Sequence, residues 1–469
     1  MTLARIPTPF RTVSHDRSAG LAASGCAPTS RRLLVVTGIA AVILLPGIAR
    51  AQSIDSYLPA GIPGFGQAAG VTVLTRAHPE YQSDGMRIGG FNLQANLDET
   101  VGYNSNVTAT GGGSWFLQNA PAVQAVSNGS RTQVGFGVTA NNLEYFDSPA
   151  LDRTDWTATV GGATAIGLGN LNVGYTHLSL SSVGTGLGEQ VTTTYIPYTV
   201  DDVRAAYNYL MGRFTFTPNL DDKLYSFGQG RFGNVIIDQK SLNRNILSGG
   251  LTTAYSLAEQ EDLLVVLQGI ESHYTNATPG QQSADSQSFQ ALAGIDVQAT
   301  GTLRYRLLGG VELRTFTSSI YSSQTSPIAE ASLVWTPTGL TTVTTTLSRE
   351  IDDPATAGTG GFTYTNAQLV VDHELYRNIL LQGRFGYQIA EYVGGGGLGN
   401  NGGTQSAFNV GGSVNWLLNR NLRLSLDYNY VNQGAGGPRQ VVFNGQTTLQ
   451  GAAGAYQQSI VGLTLHIGL

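Results

Sequence analysis

Residues Asn378–Ala390 read NILLQGRFGYQIA, with Ile379, Leu381, Phe385, Tyr387 and Ile389 at alternate positions and Gln382, Arg384 and Gln388 between them. Successive side chains of an extended chain point to opposite faces, so this stretch is a strand with one apolar and one polar side. Asn421–Asn432 (NLRLSLDYNYVN) repeats the pattern, setting Leu422, Leu424, Leu426, Tyr428 and Tyr430 against Arg423, Ser425, Asp427 and Asn429. Similar runs occur at Phe91–Tyr103, Phe289–Val297, Leu303–Leu313, Ala329–Trp335, Phe408–Trp416 and Val461–Leu469. Each has about the 9 to 11 residues that a tilted strand needs to cross a hydrocarbon core.

The composition fits a wall between lipid and water. Charged residues are 12% of the chain, and 61 of its 469 residues are glycine; the first share is about half, and the second about twice, that of a soluble domain. Beyond the N-terminal leader no stretch approaches the ~20 apolar residues of a membrane helix. The expected fold is therefore all-β, a transmembrane antiparallel β-barrel. A soluble sandwich or propeller is the rival, but it has no need of two aromatic girdles or of connections sorted by length.

Short turns are expected at Gly167–Asn170, Met211–Gly212, Thr300–Gly301, Pro337–Gly339, Tyr376–Arg377 and Asn419–Arg420. Long loops are expected at Thr108–Ser130, Ser182–Thr199, Gly394–Thr404 and Gln433–Tyr456. Short turns on one rim and long loops on the other match periplasmic and extracellular ends. Counting between them gives 18 strands if Arg131–Phe146 is a hairpin turning at Asn141–Asn142, and 16 if that hairpin, or the one near Met211, is a single strand. Tyr255, Trp335, Trp416 and Tyr305 reach the short-turn rim, and Tyr103, Tyr387, Tyr428 and Tyr430 the other, forming two interfacial belts.

Leu33–Ile48 is apolar, follows Arg31 and Arg32, and ends in Ala49-Arg50-Ala51. That is the pattern of a secretory signal cleaved after Ala51, with an uncleaved anchor as the rival. Residues 1–51 are then a leader, 52–87 a segment that either plugs the barrel or hangs in the periplasm, and 88–469 the barrel. Cys26 leaves with the leader, so the mature chain has no cysteine for a disulfide, a thiolate nucleophile or a thiolate metal site. The 25 basic and 31 acidic residues fall to 19 and 30 without the six arginines and one aspartate of the leader, a net charge of −11. Nucleic acid is not a natural partner of such a surface.

No catalytic residue, cofactor or metal site is expected. His177 and His373 lie on outward phases near the rims, with no recognisable triad. The pairs Asp201–Asp202, Asp221–Asp222 and Asp352–Asp353 lie in or beside expected connections and read as solvated loop charge, the alternative being divalent cations that bridge lipopolysaccharide, although none has the spacing of a calcium loop. Gly394–Gly403 lacks the lysine and helix of a phosphate-binding loop. The residues expected to line the lumen are Arg304, Arg306, Glu312, Arg314, Arg384, Arg423 and Asp427, with Asp296, Glu312 and Asp427 as carboxylates able to pair with the arginines.

From Val71 the chain carries Arg-x-x-Pro-Glu-Tyr, Gly-x-Arg-x-Gly-x-Phe and Tyr-x-Ser-Asn-Val elements. Together with VVDHELYRNILLQGRFGYQIAEY and VNWLLNRNLRLSLDYNYVNQ in the C-terminal half, these resemble the β-barrel porin family of type 2. The resemblance implies an outer-membrane barrel that accompanies exopolysaccharide synthesis and helps sugar polymers leave the cell. Its implied surroundings are outer-membrane lipid and lipopolysaccharide, the barrel assembly machinery and exopolysaccharide secretion components. The chain ends on Leu469, where such barrels usually have an aromatic residue. The alternative function is a non-transporting scaffold or adhesion protein acting through its long extracellular loops.

Overall fold

The computed structural model describes residues 57–469 except 59–60, 66–70, 109–110, 185, 188, 190–191, 277–282, 354–360, 393–402, 437–440, 444–446 and 450–454. The expected leader, its cleavage point and most of Gly394–Thr404 lie outside the described residues. Eighteen strands form the wall. They are β1 (Phe91–Asn104), β2 (Ser114–Ser127), β3 (Thr132–Tyr145), β4 (Arg153–Ile166), β5 (Gly169–Ser182) and β6 (Ile196–Met211). There follow β7 (Phe214–Phe227), β8 (Arg244–Ala258), β9 (Glu261–Tyr274), β10 (Ser286–Thr300), β11 (Leu303–Phe316) and β12 (Gln324–Thr338). The last are β13 (Thr341–Asp352), β14 (Phe362–Tyr376), β15 (Ile379–Tyr392), β16 (Gly403–Leu417), β17 (Leu422–Gln433) and β18 (Tyr456–Gly468). Each pairs antiparallel with its sequence neighbours, and β1 pairs with β18 from Asn96↔Gly468 to Asn104↔Ile460, so the eighteen strands close into a barrel, with Met86–Ile88 added as a short strand beside the start of β1.

Alternation sorts the two faces. In β17, Leu426 and Tyr428 are half exposed to the outside, while Ser425, Asp427 and Asn429 are buried inside. An apolar exterior is what lipid requires, because closed strand pairing satisfies the backbone and only side chains meet the hydrocarbon. The chain enters and leaves on the same rim, where eight connections are short. At Gly167 and Gly212 two-residue turns begin with a positive φ, the conformation that a tight hairpin needs and that glycine adopts without strain.

The count of eighteen holds, but two of its parts do not. Arg131–Phe146 contains one strand, β3, and no turn at Asn141–Asn142; the partner it needs is β2, inside the stretch expected to be the loop Thr108–Ser130. β2 lacks a clean alternation, because WFLQNAPAVQAVS has small residues and Pro121 at its centre. The proline costs little there, since the β2–β3 pairing is interrupted between Asn119↔Asn142 and Ala122↔Thr139, where no donor is required of it. The turn joining β2 and β3 is Asn128–Arg131, which the sequence reading placed at the end of a loop.

Candidate lumen lining

β11 carries four of the expected lining residues on one face. Arg304, Arg306, Glu312 and Arg314 alternate with outward Leu303, Tyr305, Leu307, Val311 and Leu313. Arg304 and Arg306 stand towards the short-turn rim and keep partial exposure. Arg304 forks onto Asp296, at 3.1 and 3.0 Å, and Arg306 approaches Glu330 at 3.5 Å. Glu312 and Arg314, nearer the loop rim, are buried. Arg314 pairs not with Glu312 but with Asp353, and Glu312 accepts from the Gln290 amide at 3.0 Å and the Ile351 N–H at 3.1 Å.

A second charged patch spans β15, β17, β18 and β1. Arg384 donates to Gln382 at 3.0 Å and lies 3.7 Å from Asp427. Arg423 is paired in register with His466, whose Nδ1 meets Asp98, while the Arg423 Nε finds no hydrogen-bond acceptor among the described residues. The wall is thus a ladder of both signs rather than a ring of one.

Two further groups differ from what the sequence implies. Asp201–Asp202 and Asp221–Asp222 are not loop charge: they sit within β6 and β7, where alternation sends the members of each pair to opposite faces. Neither pair can therefore grip one cation as a unit. Asp202 is fully buried against Arg204, which also reaches Asp221 at 3.5 Å, and Lys223 approaches Asp221 at 2.7 Å. Outside, Asp201 accepts from Tyr175 at 2.7 Å and meets His177 Nδ1 at 2.8 Å. The signal for the inward cluster was the Val-Asp-Asp-Val-Arg alternation of residues 200–204.

The other group is a clamp near the loop rim. Asp353, the first residue beyond β13, lies between Arg314 of β11 and Arg244 of β8, the latter at 3.3 Å, and accepts from Ser272 at 3.2 Å. The Arg244 guanidinium sits 4.7 Å from the Tyr225 ring centroid and 5.7 Å from that of Tyr274. Burial alone would raise the Asp353 carboxyl, but Arg314 and Arg244 outweigh it and hold it at about 2. Leu187, in the β5–β6 connection, is turned inward. Leu187 packs among Phe362, Tyr364, Ala390, Tyr392 and Ala407, inward residues of β14, β15 and β16 on the far side of the barrel.

Residues ahead of β1 also touch the inner wall. The Val73 N–H donates to Thr342 at 3.1 Å, and Val73, Leu74 and Tyr81 pack with Leu380 and Leu417. Arg76 pairs with Glu374, and Asp84 with Arg420 at 3.1 Å. Tyr57 packs against the inward cluster that contains Leu178, Val200 and Tyr225.

Among solved structures, the Pseudomonas aeruginosa outer membrane protein OpdK (OccK1) matches with 11% identity and a TM-score of 0.43, over 80% of this chain and 99% of its own. OccK2 (OpdF) of the same organism matches at 12% and 0.42, over 80% and 98%. The ferric-catecholate import receptor Fiu of E. coli gives 9% and 0.41, over 80% and 82%. No curated protein matches the sequence. Residues 78–440 match the family described as "Putative beta-barrel porin 2", a span that takes in the wall from β1 to β17. With that wall closed, apolar outside and charged within, the chain is a porin-like outer-membrane β-barrel and belongs to this family.

Proposed function

We propose that the barrel is a passive conduit for hydrophilic solutes, sugar polymers in particular, serving exopolysaccharide export and doing no chemistry of its own. The observation that carries this reading is the inner wall. Between the charged patch and the loop rim its inward face carries neutral hydrogen-bonding groups, among them Gln290, Asn366, Gln388, Asn429 and Gln433, with the rings of Tyr364 and Tyr392 beside them; all are buried, the two rings under Leu187, so a solute would reach them once that residue is displaced. Amides match the hydroxyls of a sugar chain, and aromatic faces match its apolar C–H surfaces. On this reading the chain reaches the outer membrane by a signal cleaved after Ala51, is inserted by the barrel assembly machinery, and meets lipopolysaccharide outside and exopolysaccharide secretion components inside.

The test is conductance of purified protein in planar bilayers, with liposome swelling in neutral oligosaccharides. A stable current and swelling that falls with sugar size are expected. The absence of both current and swelling would overturn the conduit. That outcome would favour the scaffold reading, for which the inward packing of Leu187 across the barrel speaks.

A further inference from the structure

Residues Gly61–Phe65 read GIPGF and lie against the inside of the wall. The Phe65 N–H donates to the Ile62 carbonyl at 3.3 Å, and Gly64 has a φ of +97°. Proline at the second position and a positive-φ glycine at the third make Ile62–Phe65 a type II turn. Ile62 is 1% exposed. The wall that faces this turn is stripped of side chains. Gly135 of β3 pairs with Gly161 of β4, and Gly161 pairs with Gly174 of β5, which makes a row of three glycines across three strands. Gly137 stands at the next inward position of β3.

Each of these glycines is occupied from within. A Cβ on Gly161 would come within 2.0 Å of the Pro63 carbonyl oxygen, one on Gly137 within 2.6 Å of Ile62 Cδ1, and one on Gly174 within 2.5 Å of the Phe65 ring. The row ends at Arg204 of β6, in register with Gly174, whose guanidinium lies 5.5 Å from the Phe65 ring centroid. Glycine weakens a strand interior and is expected where another backbone approaches closely. Here the approaching backbone belongs to the same chain.

We propose that the row Gly135–Gly161–Gly174, with Gly137 and Arg204, is an internal docking site for the chain's own Ile62–Phe65 turn, and that the docked turn narrows the lumen. It covers the wall of β3–β6, so an aqueous path must run along the rest of the inner wall. The confinement rests on the conduit reading; the docking does not.

Two kinds of variant separate these claims. Ile62→Ser with Phe65→Ser weakens the turn and leaves the wall intact, whereas Gly161→Val blocks the site and leaves the turn intact. Both should raise single-channel conductance severalfold, with heat-dependent gel mobility showing that the barrel is formed. Unchanged conductance in both would overturn the narrowing. If no form conducts, the conduit reading fails and the docking is judged by Ile62→Cys, in a mature chain without other cysteines. Its thiol should resist a maleimide in the folded barrel and react once Gly161→Val is added. Equal labelling in the folded and the boiled protein would overturn the docking.

Discussion

Arg304 holds Asp296 diagonally across two strands, because the residue directly opposite Asp296 is Arg306, and Arg306 turns the other way towards Glu330. The arginines of β11 are thus each matched to a carboxylate, and local charge is close to balanced. Replacing Arg304 and Arg306 with serine leaves Asp296 and Glu330 unmatched. In the conduit reading the reversal potential in a salt gradient should move towards cation preference. The shift should be largest in dilute salt, since at 0.1 M the screening length is already about 10 Å. A current whose selectivity is unchanged at every salt concentration would place the two arginines outside the path.

Leu426 faces outward between Val414 and Leu463. Leu426→Arg should destabilise the folded barrel by about 2–4 kcal/mol if it sits near the membrane midplane, measured by denaturant unfolding in lipid. The neighbouring Ser425 is buried and donates to Asn415 at 2.7 Å, so Ser425→Ala should cost about 1 kcal/mol. The face assignment of β17 fails if the serine variant is the more damaging of the two.

Asp353 has a carboxyl lowered from 3.8 to about 2 in the folded protein. A lowered carboxylate stabilises the fold above its unfolded value and loses that contribution as the pH falls towards the folded one. At about 1.4 kcal/mol per unit the shift corresponds to about 2 kcal/mol. The heat-modification midpoint of the wild type should therefore drop between pH 4 and 2, while Asp353→Asn starts lower and stays flatter. Parallel pH profiles would refute the clamp.

Leu187 anchors the β5–β6 connection, so Leu187→Asp should free it. Glu189, buried in the same connection, accepts from Ser182 at 3.0 Å and from the Gly186 N–H at 3.1 Å. A glutamate-specific protease added outside intact cells should spare Glu189 in the wild type and cut there in the variant. Burial raises the Glu189 carboxyl in spite of those two bonds. Docking is then strongest below the usual value of 4.5 and weakens as the pH rises, so any wild-type cutting should increase towards alkaline pH. Cutting that is equal in both proteins would show that the connection is already free.

The barrel itself was legible in the sequence because alternation is local: a strand in lipid must be apolar at every second position, as Leu422–Tyr430 and Ile379–Ile389 are, whatever it pairs with. Alternation likewise gave the inward phase of Arg304, Arg306, Arg384 and Arg423. It failed at β2, where small residues and Pro121 blur the period, and only the partners β1 and β3 define the strand. The partners of the charges were equally out of reach of the sequence. Whether Arg314 meets Glu312, two residues away, or Asp353, 39 residues away, depends on register and on where a loop turns inward. Gly135, Gly161 and Gly174 read separately as the ordinary glycines of a barrel; they become a floor for Ile62–Phe65 only when pairing aligns three strands and brings the chain's own N-terminal segment inside. Periodicity along the chain decides the wall, because lipid tests each residue singly, while what fills the wall is decided by contacts between distant residues, which no local pattern contains.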